Sequence, residues 1–469
     1  MTTLPVGLLL VLLPILMHLS GNLCDAVAAD GDCPDDCHCD CTTEANGKLT
    51  IICRGREINS FPFACLHSED VSDFALYEVE WLANLTHDQF ARAASLVRVD
   101  VSRNPNLKYV EAETFDGLPM LTEIILERNA IDELPETVFP EQLLRLSLAG
   151  NAIRRLPDLP FAGAAPALTR LTLADNKIPY FTCPHLAYLE YLDIGGNDIT
   201  ALDFHGCPSV RIMNASLNQL ARIDASWSLL TKLESLELFA NRLTDFPTSA
   251  LNLTRLTYLD LAANNISRMP VWNSTMQPVL EQVSLSATHV RIIENGSLRG
   301  LPQLQTFEMV FASQLDNIER GAFAGLERLS MLFVADNPSL RYIPAEALPA
   351  PDLGELWFVD FRRNNITRFD RALFEGLALL YRADIAGNPL RCDCAAAWMR
   401  ELMDRDDVPW VADWSEGGER EVVCRSPENV DGLPVGRLNI GDLTCNYSRV
   451  HRMESILLGN KALFVVCDK

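Results

Sequence analysis

Apolar and polar positions follow one pattern thirteen times between Leu96 and Leu390, L-x-x-L-x-L-x-x-N-x-L, at intervals of 21 to 27 residues. The alternating apolar positions predict a short β-strand whose apolar side chains all point to one face. The rest of each copy is long enough to return the chain to the start of the next strand. Since no single copy can bury its own apolar face, the copies must stack into a solenoid with a continuous core.

The polar position near the end of the pattern is asparagine in eleven copies and Thr288 or Ala312 in the other two. The asparagines are Asn104, Asn129, Asn151, Asn176, Asn197, Asn218, Asn241, Asn264, Asn337, Asn364 and Asn388. The period is that of leucine-rich repeats, which predicts an α/β horseshoe. A parallel sheet would line its concave face, and its convex side would be mostly irregular or short-helical. We expect each asparagine amide to bond main-chain groups of neighbouring turns, and this ladder to break at Thr288 and Ala312.

Phenylalanines recur in the return segments, and we interpret them as core residues. They are Phe115, Phe139, Phe323 and Phe374. Phe90 would be their equivalent in an irregular first repeat that starts at Val71.

Three positions of each strand point outward on the predicted concave sheet: the residues two, four and six places after the first leucine. The middle row reads Asp100, Ile125, Ser147, Thr172, Asp193, Asn214, Glu237, Asp260, Ser284, Glu308, Phe333, Asp360 and Asp384. Seven of these thirteen residues are acidic and none is basic.

The flanking rows contain no lysine or arginine between Tyr191 and Ala335. Four acids are therefore predicted to have no basic neighbour in the outward rows: Asp193, Glu237, Asp260 and Glu308. Elsewhere Arg98, Arg362 and Arg382 can neutralise nearby acids. The pattern favours a groove that attracts a basic partner. The alternative is that an acid simply suits an exposed strand position.

Large apolar residues also occupy outward positions. The candidate anchors for a partner are Phe239, Tyr258, Met331, Phe333 and Phe358, with Val310, Phe311 and Trp357 nearby. Exposed aromatic and methionine clusters often mark protein interfaces. The alternative is that the C-terminal region, a loop or a shifted register covers them.

Export is indicated by the first residues of the chain. Residues 4–19 form an apolar run, followed by small residues near Ala28, which is typical of a cleaved signal peptide, with a retained anchor as the alternative. The next most apolar segment, residues 456–466, is too short and too polar to span a membrane. The formal charge of −24 argues against nucleic acid or an anionic membrane as partner.

Cysteines cluster at the two ends of the repeats, with one pair between. They are Cys33, Cys37, Cys39, Cys41, Cys53 and Cys65 before the repeats, Cys183 and Cys207 within them, and Cys392, Cys394, Cys424 and Cys445 after them. In an exported chain such clusters are typical of disulfides. A metal site around Cys37–Cys41 is the competing interpretation. Cys183 and Cys207 precede prolines in adjacent repeats and are expected either to bond or to remain two buried thiols.

Eight N-x-[ST] sequences predict a glycoprotein. They are Asn84, Asn214, Asn252, Asn265, Asn273, Asn295, Asn365 and Asn446. Asn214 lies in the middle outward row, where a glycan would displace a large partner toward the later repeats.

The cysteine blocks resemble the caps of extracellular leucine-rich repeat proteins, a family that includes Slit proteins, Toll-type receptor ectodomains and the Nogo receptor. The motifs are Cys33-Pro34-x-x-Cys37-x-Cys39 with Cys53, and Asn388-Pro389-Leu390-x-Cys392-Asp393-Cys394 with Trp398, Cys424-x-x-Pro427 and Cys445. The resemblance implies four disulfides: Cys33–Cys39, Cys37–Cys53, Cys392–Cys424 and Cys394–Cys445. Cys41 and Cys65 are additions to the family pattern that can pair with each other. Cys467 is left over and can link two copies of the chain.

The sequence therefore predicts a signal peptide (1–28), an N-terminal cap (29–68), repeats (69–390), a C-terminal cap (391–446) and a tail (447–469). The predicted function is that of a secreted glycoprotein that binds an extracellular protein ligand or receptor through its concave face. A matrix component assembled by repeat contacts and an intermolecular disulfide, or a truncated receptor ectodomain, is the alternative. No motif for catalysis is found, and no metal or cofactor is expected.

Overall fold

The computed structural model describes residues 39–438 and Leu443, except 46, 56, 67–69, 136–137, 157–166, 184–185, 249–250, 276, 404–421. Its strands, in chain order, are β1 (Asp40–Thr43), β2 (Leu49–Arg54), β3 (Val71–Tyr77), β4 (Asn84–Leu85), β5 (Arg98–Ser102), β6 (Tyr109–Val110), β7 (Glu123–Ile125), β8 (Arg145–Ser147), β9 (Arg170–Thr172), β10 (Phe181–Thr182), β11 (Tyr191–Asp193), β12 (Leu202–Asp203), β13 (Ile212–Asn214), β14 (Ser235–Glu237), β15 (Tyr258–Asp260), β16 (Gln282–Ser284), β17 (Ile292–Ile293), β18 (Thr306–Glu308), β19 (Asn317–Ile318), β20 (Met331–Phe333), β21 (Phe358–Asp360), β22 (Arg382–Asp384), β23 (Leu390–Arg391) and β24 (Cys424–Ser426).

Helices contribute little to the described part of the chain. Two short α-helices span His87–Phe90 and Ala397–Met403. Single 3₁₀ turns span Phe63–Leu66, Ala225–Leu229, Ala345–Ala347, Ala350–Asp352, Arg371–Leu373, Cys394–Ala396, Glu428–Val430 and Val435–Arg437. None of the described helices is long and apolar enough to cross a bilayer.

One sixteen-stranded sheet runs the length of the described chain, in the order β1-β2-β3-β5-β7-β8-β9-β11-β13-β14-β15-β16-β18-β20-β21-β22. All neighbours are parallel except β1 and β2, which are antiparallel. Pairs of two-residue strands in the return segments, such as β10 with β12 and β17 with β19, form small separate sheets. The predicted leucine-rich repeat solenoid is confirmed.

The asparagine ladder joins each turn to its neighbours. Asn197 donates from Nδ2 to the carbonyl oxygens of Leu173, Ile194 and Gly195, at 3.0 to 3.1 Å, and its Oδ1 accepts from the Ile178 amide at 3.1 Å. One side chain thus satisfies buried main-chain groups of its own repeat and of the preceding repeat.

The ladder breaks where the sequence predicts. Thr288 donates its hydroxyl to the Leu285 carbonyl at 2.7 Å, which is a bond within its own repeat. A hydroxyl has one hydrogen, so the bond that Asn264 makes to the preceding repeat, Nδ2 to the Leu238 carbonyl at 2.9 Å, has no counterpart here. Ala312 has no polar side-chain atom at all.

The core lies between the sheet and the return segments, where the phenylalanines are buried. Phe90, Phe115 and Phe323 are fully buried, and Phe139 and Phe374 nearly so, as predicted. The rings of Phe90 and Phe115 are 5.5 Å apart. Phe90 belongs to the irregular first repeat, because β3 pairs in parallel with β5.

The N-terminal disulfide pairing differs from the one that the resemblance implied. Cys39 bonds Cys53, so the implied bonds Cys33–Cys39 and Cys37–Cys53 are wrong. The antiparallel pairing of β1 with β2 explains this, since it places Asp40 opposite Ile52 and so brings Cys39 level with Cys53. Cys41 and Cys65 are each disulfide-bonded, and their bond with one another stays a prediction.

The sulfurs of Cys39, Cys53 and Cys65 lie within 4.8 Å of one another, close enough to resemble a metal site. All three are disulfide-bonded, which leaves no thiolate among them to bind a metal.

Two other predicted pairs are bonded. Cys183 bonds Cys207 across adjacent repeats with Cα atoms 5.9 Å apart, and Cys392 bonds Cys424. Cys394 is also disulfide-bonded. The signal peptide, Cys33, Cys37, Cys445, Asn446, Cys467 and the tail lie outside the described residues.

Candidate functional site

The strand register aligns the outward rows as the repeat pattern predicts. Asp193 lies opposite Asn214, Asn214 opposite Glu237, and Glu237 opposite Asp260. The row continues through Ser284, Glu308, Phe333, Asp360 and Asp384. The strand residue before Glu237, Leu236, is fully buried, whereas Glu237 is partly exposed, so alternation places the row on the concave surface.

Three carboxylates in the middle of this row form what we call the acidic cluster: Glu237, Asp260 and Glu308. Glu237 and Asp260 are on adjacent strands, and Glu308 lies two strands beyond Asp260. Ser284, the residue between Asp260 and Glu308, is small and 7% exposed. We call the position over Ser284, which has a carboxylate on either side, the recess.

Basic side chains are missing from the described outward rows between residues 191 and 335. Burial raises the pKa of Glu237 to about 7, and the charges of Asp260 and Asp193 add to the rise. Burial likewise raises the pKa of Glu308 to about 7, with Asp260 adding to it. Burial raises the pKa of Asp260 to about 6, although its carboxylate accepts from the Ala262 amide at 2.8 Å.

Tyr258 stands two residues from Asp260 on the same strand and faces the same surface. Burial, followed by the charges of Asp260, Glu237 and Glu308, raises the pKa of its phenol well above the usual value. The phenol is therefore neutral at physiological pH. It can donate a hydrogen bond to an acid or to a ligand but adds no charge to the cluster.

Asp193 departs from the prediction that it has no basic neighbour. The Arg170 guanidinium, on the adjacent strand, lies 3.9 Å from the centre of the Tyr191 ring. Burial raises the pKa of Asp193, while the Gly195 amide, Arg170 and Asn214 all oppose that rise. Asp193 is thus partly compensated, and the acidic cluster is confined to the three carboxylates farther along the row.

The remaining acids of the row are neutralised, as predicted. Asp100 lies 3.5 Å from Arg98 and accepts a hydrogen bond of 2.8 Å from the Tyr77 hydroxyl. Asp360 lies 2.6 Å from Arg362. Asp384 lies 3.5 Å from both Arg362 and Arg382. Each of these acids already has an arginine of the sheet beside it, so its negative charge is largely compensated before any ligand binds.

An aromatic cluster adjoins the acidic cluster on its C-terminal side. We define it as Met331, Phe333, Trp357 and Phe358. Phe333 lies opposite Glu308 in register, and its ring is 5.2 Å from that of Phe358. Trp357 is 5.7 Å from Phe358, and Met331 is opposite Phe358.

Among the described residues, neither a shifted register nor a covering segment hides these side chains. The register is unshifted, and Met331, Phe333 and Phe358 are partly exposed, with Trp357 at 41%. Tyr381 was not predicted from the sequence. It is 59% exposed, and its amide donates to the Trp357 carbonyl at 2.8 Å. Its position directly before a strand, equivalent to that of Trp357, is the signal that could have found it.

Phe239 and Tyr258 are separate from the aromatic cluster and from each other. Tyr258 is opposite Ser235, so Phe239 stands four residues farther along the strand direction, about 13 Å away. Tyr258 belongs with the acidic cluster, and Phe239 lies alone at the other edge of the outward rows.

Asn214 lies in the middle row, as predicted, and its side chain accepts a hydrogen bond within its own repeat. Its Oδ1 accepts from the Ser216 amide at 2.9 Å. Asn84, Asn252, Asn265 and Asn295 are exposed, whereas Asn273 and Asn365 are partly exposed.

Known proteins resemble this chain in the repeat fold. No family model matches the chain. Podocan from Mus musculus is 24% identical over 411 residues, which cover 81% of this chain and 64% of podocan. The structure of the TLR13–ssRNA13 complex matches with a TM-score of 0.64 at 22% identity, covering 76% of this chain and 51% of that one. The Drosophila Toll–Spatzle complex matches with a TM-score of 0.60 at 20% identity, covering 80% and 52%.

These matches agree on the repeat fold. The chain spans about two thirds of podocan and about half of the two structural neighbours. The relatives are leucine-rich repeat proteins, and the neighbours share the solenoid and its parallel sheet.

Proposed function

Because the chain is a leucine-rich repeat protein with disulfide-bonded caps, we propose that it is a secreted glycoprotein that binds an extracellular protein through its concave face. We further propose that the partner is basic and contacts the acidic and aromatic clusters. One observation carries the proposal. Three carboxylates without a basic neighbour in the described outward rows lie beside partly exposed aromatic residues, in a row whose other acids have a basic side chain nearby.

The two clusters would contribute to binding in different ways. Uncompensated charge accelerates encounter with a partner of opposite sign. Exposed aromatic and methionine side chains supply the few contacts that dominate binding energy. The two clusters occupy neighbouring strands, so a single partner can contact both.

The neighbours give this role a precedent without extending their ligands to this chain. Toll is seen in complex with Spatzle, and TLR13 in complex with RNA. A net charge of −24 disfavours nucleic acid here, because phosphate binding needs a basic surface. We therefore favour a protein partner and propose no catalytic role.

The proposal is tested by measuring the binding of the secreted chain to each member of a panel of soluble cell-surface ectodomains. We expect a partner whose binding falls at least tenfold in Phe333→Ala/Phe358→Ala. A matched control is Tyr109→Ala/Tyr180→Ala, which removes two exposed tyrosines from the return segments. Equal loss in both variants, or no loss in either, would contradict binding at the aromatic cluster.

The second candidate function is a matrix component whose tail forms covalent links through Cys467. It is favoured by the leftover cysteine in the sequence. Electrophoresis of the secreted chain without reductant separates the two roles. A monomer supports the recognition protein, whereas a reducible multimer that disappears in Cys467→Ser supports the matrix component.

A further inference from the structure

The acidic and aromatic clusters are close enough to be filled by one short segment of a partner. Adjacent strands of a sheet are about 4.8 Å apart. Glu308 and Phe358 are two strands and two residues apart, about 12 Å, and Asp260 and Phe333 are three strands apart, about 14 Å. An extended chain covers these distances in three or four residues, at about 3.3 Å per residue.

We infer that the partner enters this face with an extended segment that lies across the strands and carries a lysine or arginine three or four residues from an aromatic or large aliphatic residue. The cation occupies the recess over Ser284, between Asp260 and Glu308, and the apolar side chain packs on Phe333 and Phe358. This inference rests on the proposed function and specifies the chemistry of its ligand.

The recess suits a cation for steric as well as electrostatic reasons. Ser284 is the one small side chain in the row between Asp260 and Phe333, so no bulky side chain stands between the two flanking carboxylates. Its hydroxyl donates to the Ser286 hydroxyl at 3.2 Å. A guanidinium or ammonium group above it could approach a carboxylate on either side and form charge-assisted hydrogen bonds.

An unsatisfied polar group borders the recess. Thr306, in the flanking row two residues before Glu308, is 6% exposed, and its hydroxyl has no hydrogen-bond partner among the described residues. The residues around the cluster in the outward rows are all neutral or acidic. They are Tyr258 and Gln282 in the flanking row, Asp193 and Asn214 on the N-terminal side of the cluster, and Met331 and Phe333 on its C-terminal side. Within the described outward rows, the cation of the partner is therefore the missing counter-charge.

The apolar half of the segment meets a preformed surface. The rings of Phe333 and Phe358 are in contact at 5.2 Å, and Trp357 extends the same surface. Arg382 lies 5.6 Å from the centre of the Phe358 ring at the far edge. Since Arg382 also pairs with Asp384, the cation of the partner is directed to the acidic side and not to this edge.

A phage library of random 12-residue peptides, selected on the full-length secreted protein, tests the inference. We expect enriched peptides to combine a lysine or arginine with an apolar residue three or four positions away. Their affinity should fall about tenfold or more in Asp260→Asn/Glu308→Gln and in Phe333→Ala/Phe358→Ala. Glu133→Gln/Glu141→Gln is the matched control, because it removes two charges from exposed positions in a return segment.

Three outcomes would overturn the inference: enriched peptides without that spacing, binding that survives Asp260→Asn/Glu308→Gln, or no enrichment. The proposed function is judged separately. A protein partner that depends on Phe333 and Phe358 but not on Asp260 and Glu308 would leave the proposed function standing and reject this ligand chemistry. If peptides are enriched but no protein partner is found at the concave face, the ligand chemistry stands and the proposed function is rejected.

Discussion

Glu237 and Asp260 lie directly opposite each other on adjacent parallel strands, with like charges and no basic side chain in the outward rows around them. Like charges opposite each other destabilise a sheet. Here the cost is limited because burial and mutual repulsion favour the protonated form of Glu237 near neutral pH. The charge of this surface is therefore set by the pH of its surroundings.

Binding of a basic partner should weaken as the pH falls. The pKa values of Glu237 and Glu308 are about 7 and that of Asp260 about 6, so all three lose charge between pH 8 and pH 5. We expect the dissociation constant to rise at least tenfold over this range, as measured by surface plasmon resonance. In Glu237→Gln/Glu308→Gln the affinity should be low throughout and the pH dependence shallower. A flat profile for the wild-type protein would contradict the role of these acids.

The stability of the folded protein should fall as the pH rises, whereas binding of a basic partner should strengthen. A carboxyl whose pKa is raised on folding binds its proton more tightly in the folded state, so stability falls as pH rises from the unfolded value of about 4.3 to the folded value. Glu237→Gln/Glu308→Gln should therefore be more stable than the wild-type protein above pH 7, by about 1 kcal/mol after solvent screening. The two proteins should converge below about pH 4.5. Urea unfolding at pH 4.5, 6 and 8 measures this, and a pH-independent difference would argue against the raised pKa values.

Loss of one ladder asparagine should be costly. Asn197→Ala removes a side chain that serves one buried amide and three carbonyl oxygens. We expect a loss of about 2–3 kcal/mol in the free energy of unfolding. Asn106→Ala is the matched control, because Asn106 is exposed and donates one bond, to the Glu80 carbonyl. Similar effects of the two substitutions in urea unfolding would show that the ladder adds little.

The bond between Cys183 and Cys207 should stabilise the middle of the solenoid. It closes a loop with a sequence separation of 24, for which chain entropy predicts about 3 kcal/mol. Cys183→Ser/Cys207→Ser should therefore unfold at lower denaturant concentration than the wild-type protein. Mass spectrometry of non-reduced peptides checks the bond itself. Two free thiols in the native protein would contradict the assignment.

The sequence predicts the outward rows well because the repeat fixes strand register through regularly spaced leucines. One residue of error would have turned Glu237 inward and Leu236 outward, and neither occurs. The paired acids Asp100, Asp360 and Asp384 followed from the same register, because their arginines are nearby in sequence or on adjacent strands.

What the sequence could not supply depends on side-chain reach and on the irregular ends. Arg170 is on the strand next to Asp193 and reaches it from a position two residues away along the strand. The sequence does not show how far or in which direction an arginine side chain extends. The bond between Cys39 and Cys53 follows from how β1 pairs with β2. The six cysteines of this cap allow many alternative pairings, and two of the six are additions to the family pattern, so that pattern was a poor guide there.

The two interruptions of the asparagine ladder lie in the repeats that carry Ser284 and Glu308, behind the recess. Turns elsewhere are fastened by amide side chains that reach the preceding repeat, as Asn264 does, whereas Thr288 fastens only its own turn. If force is applied to the two ends of the molecule, we expect the repeats that carry Thr288 and Ala312 to separate from their neighbours first. The surface proposed to bind a partner would then also be the mechanically weakest part of the solenoid.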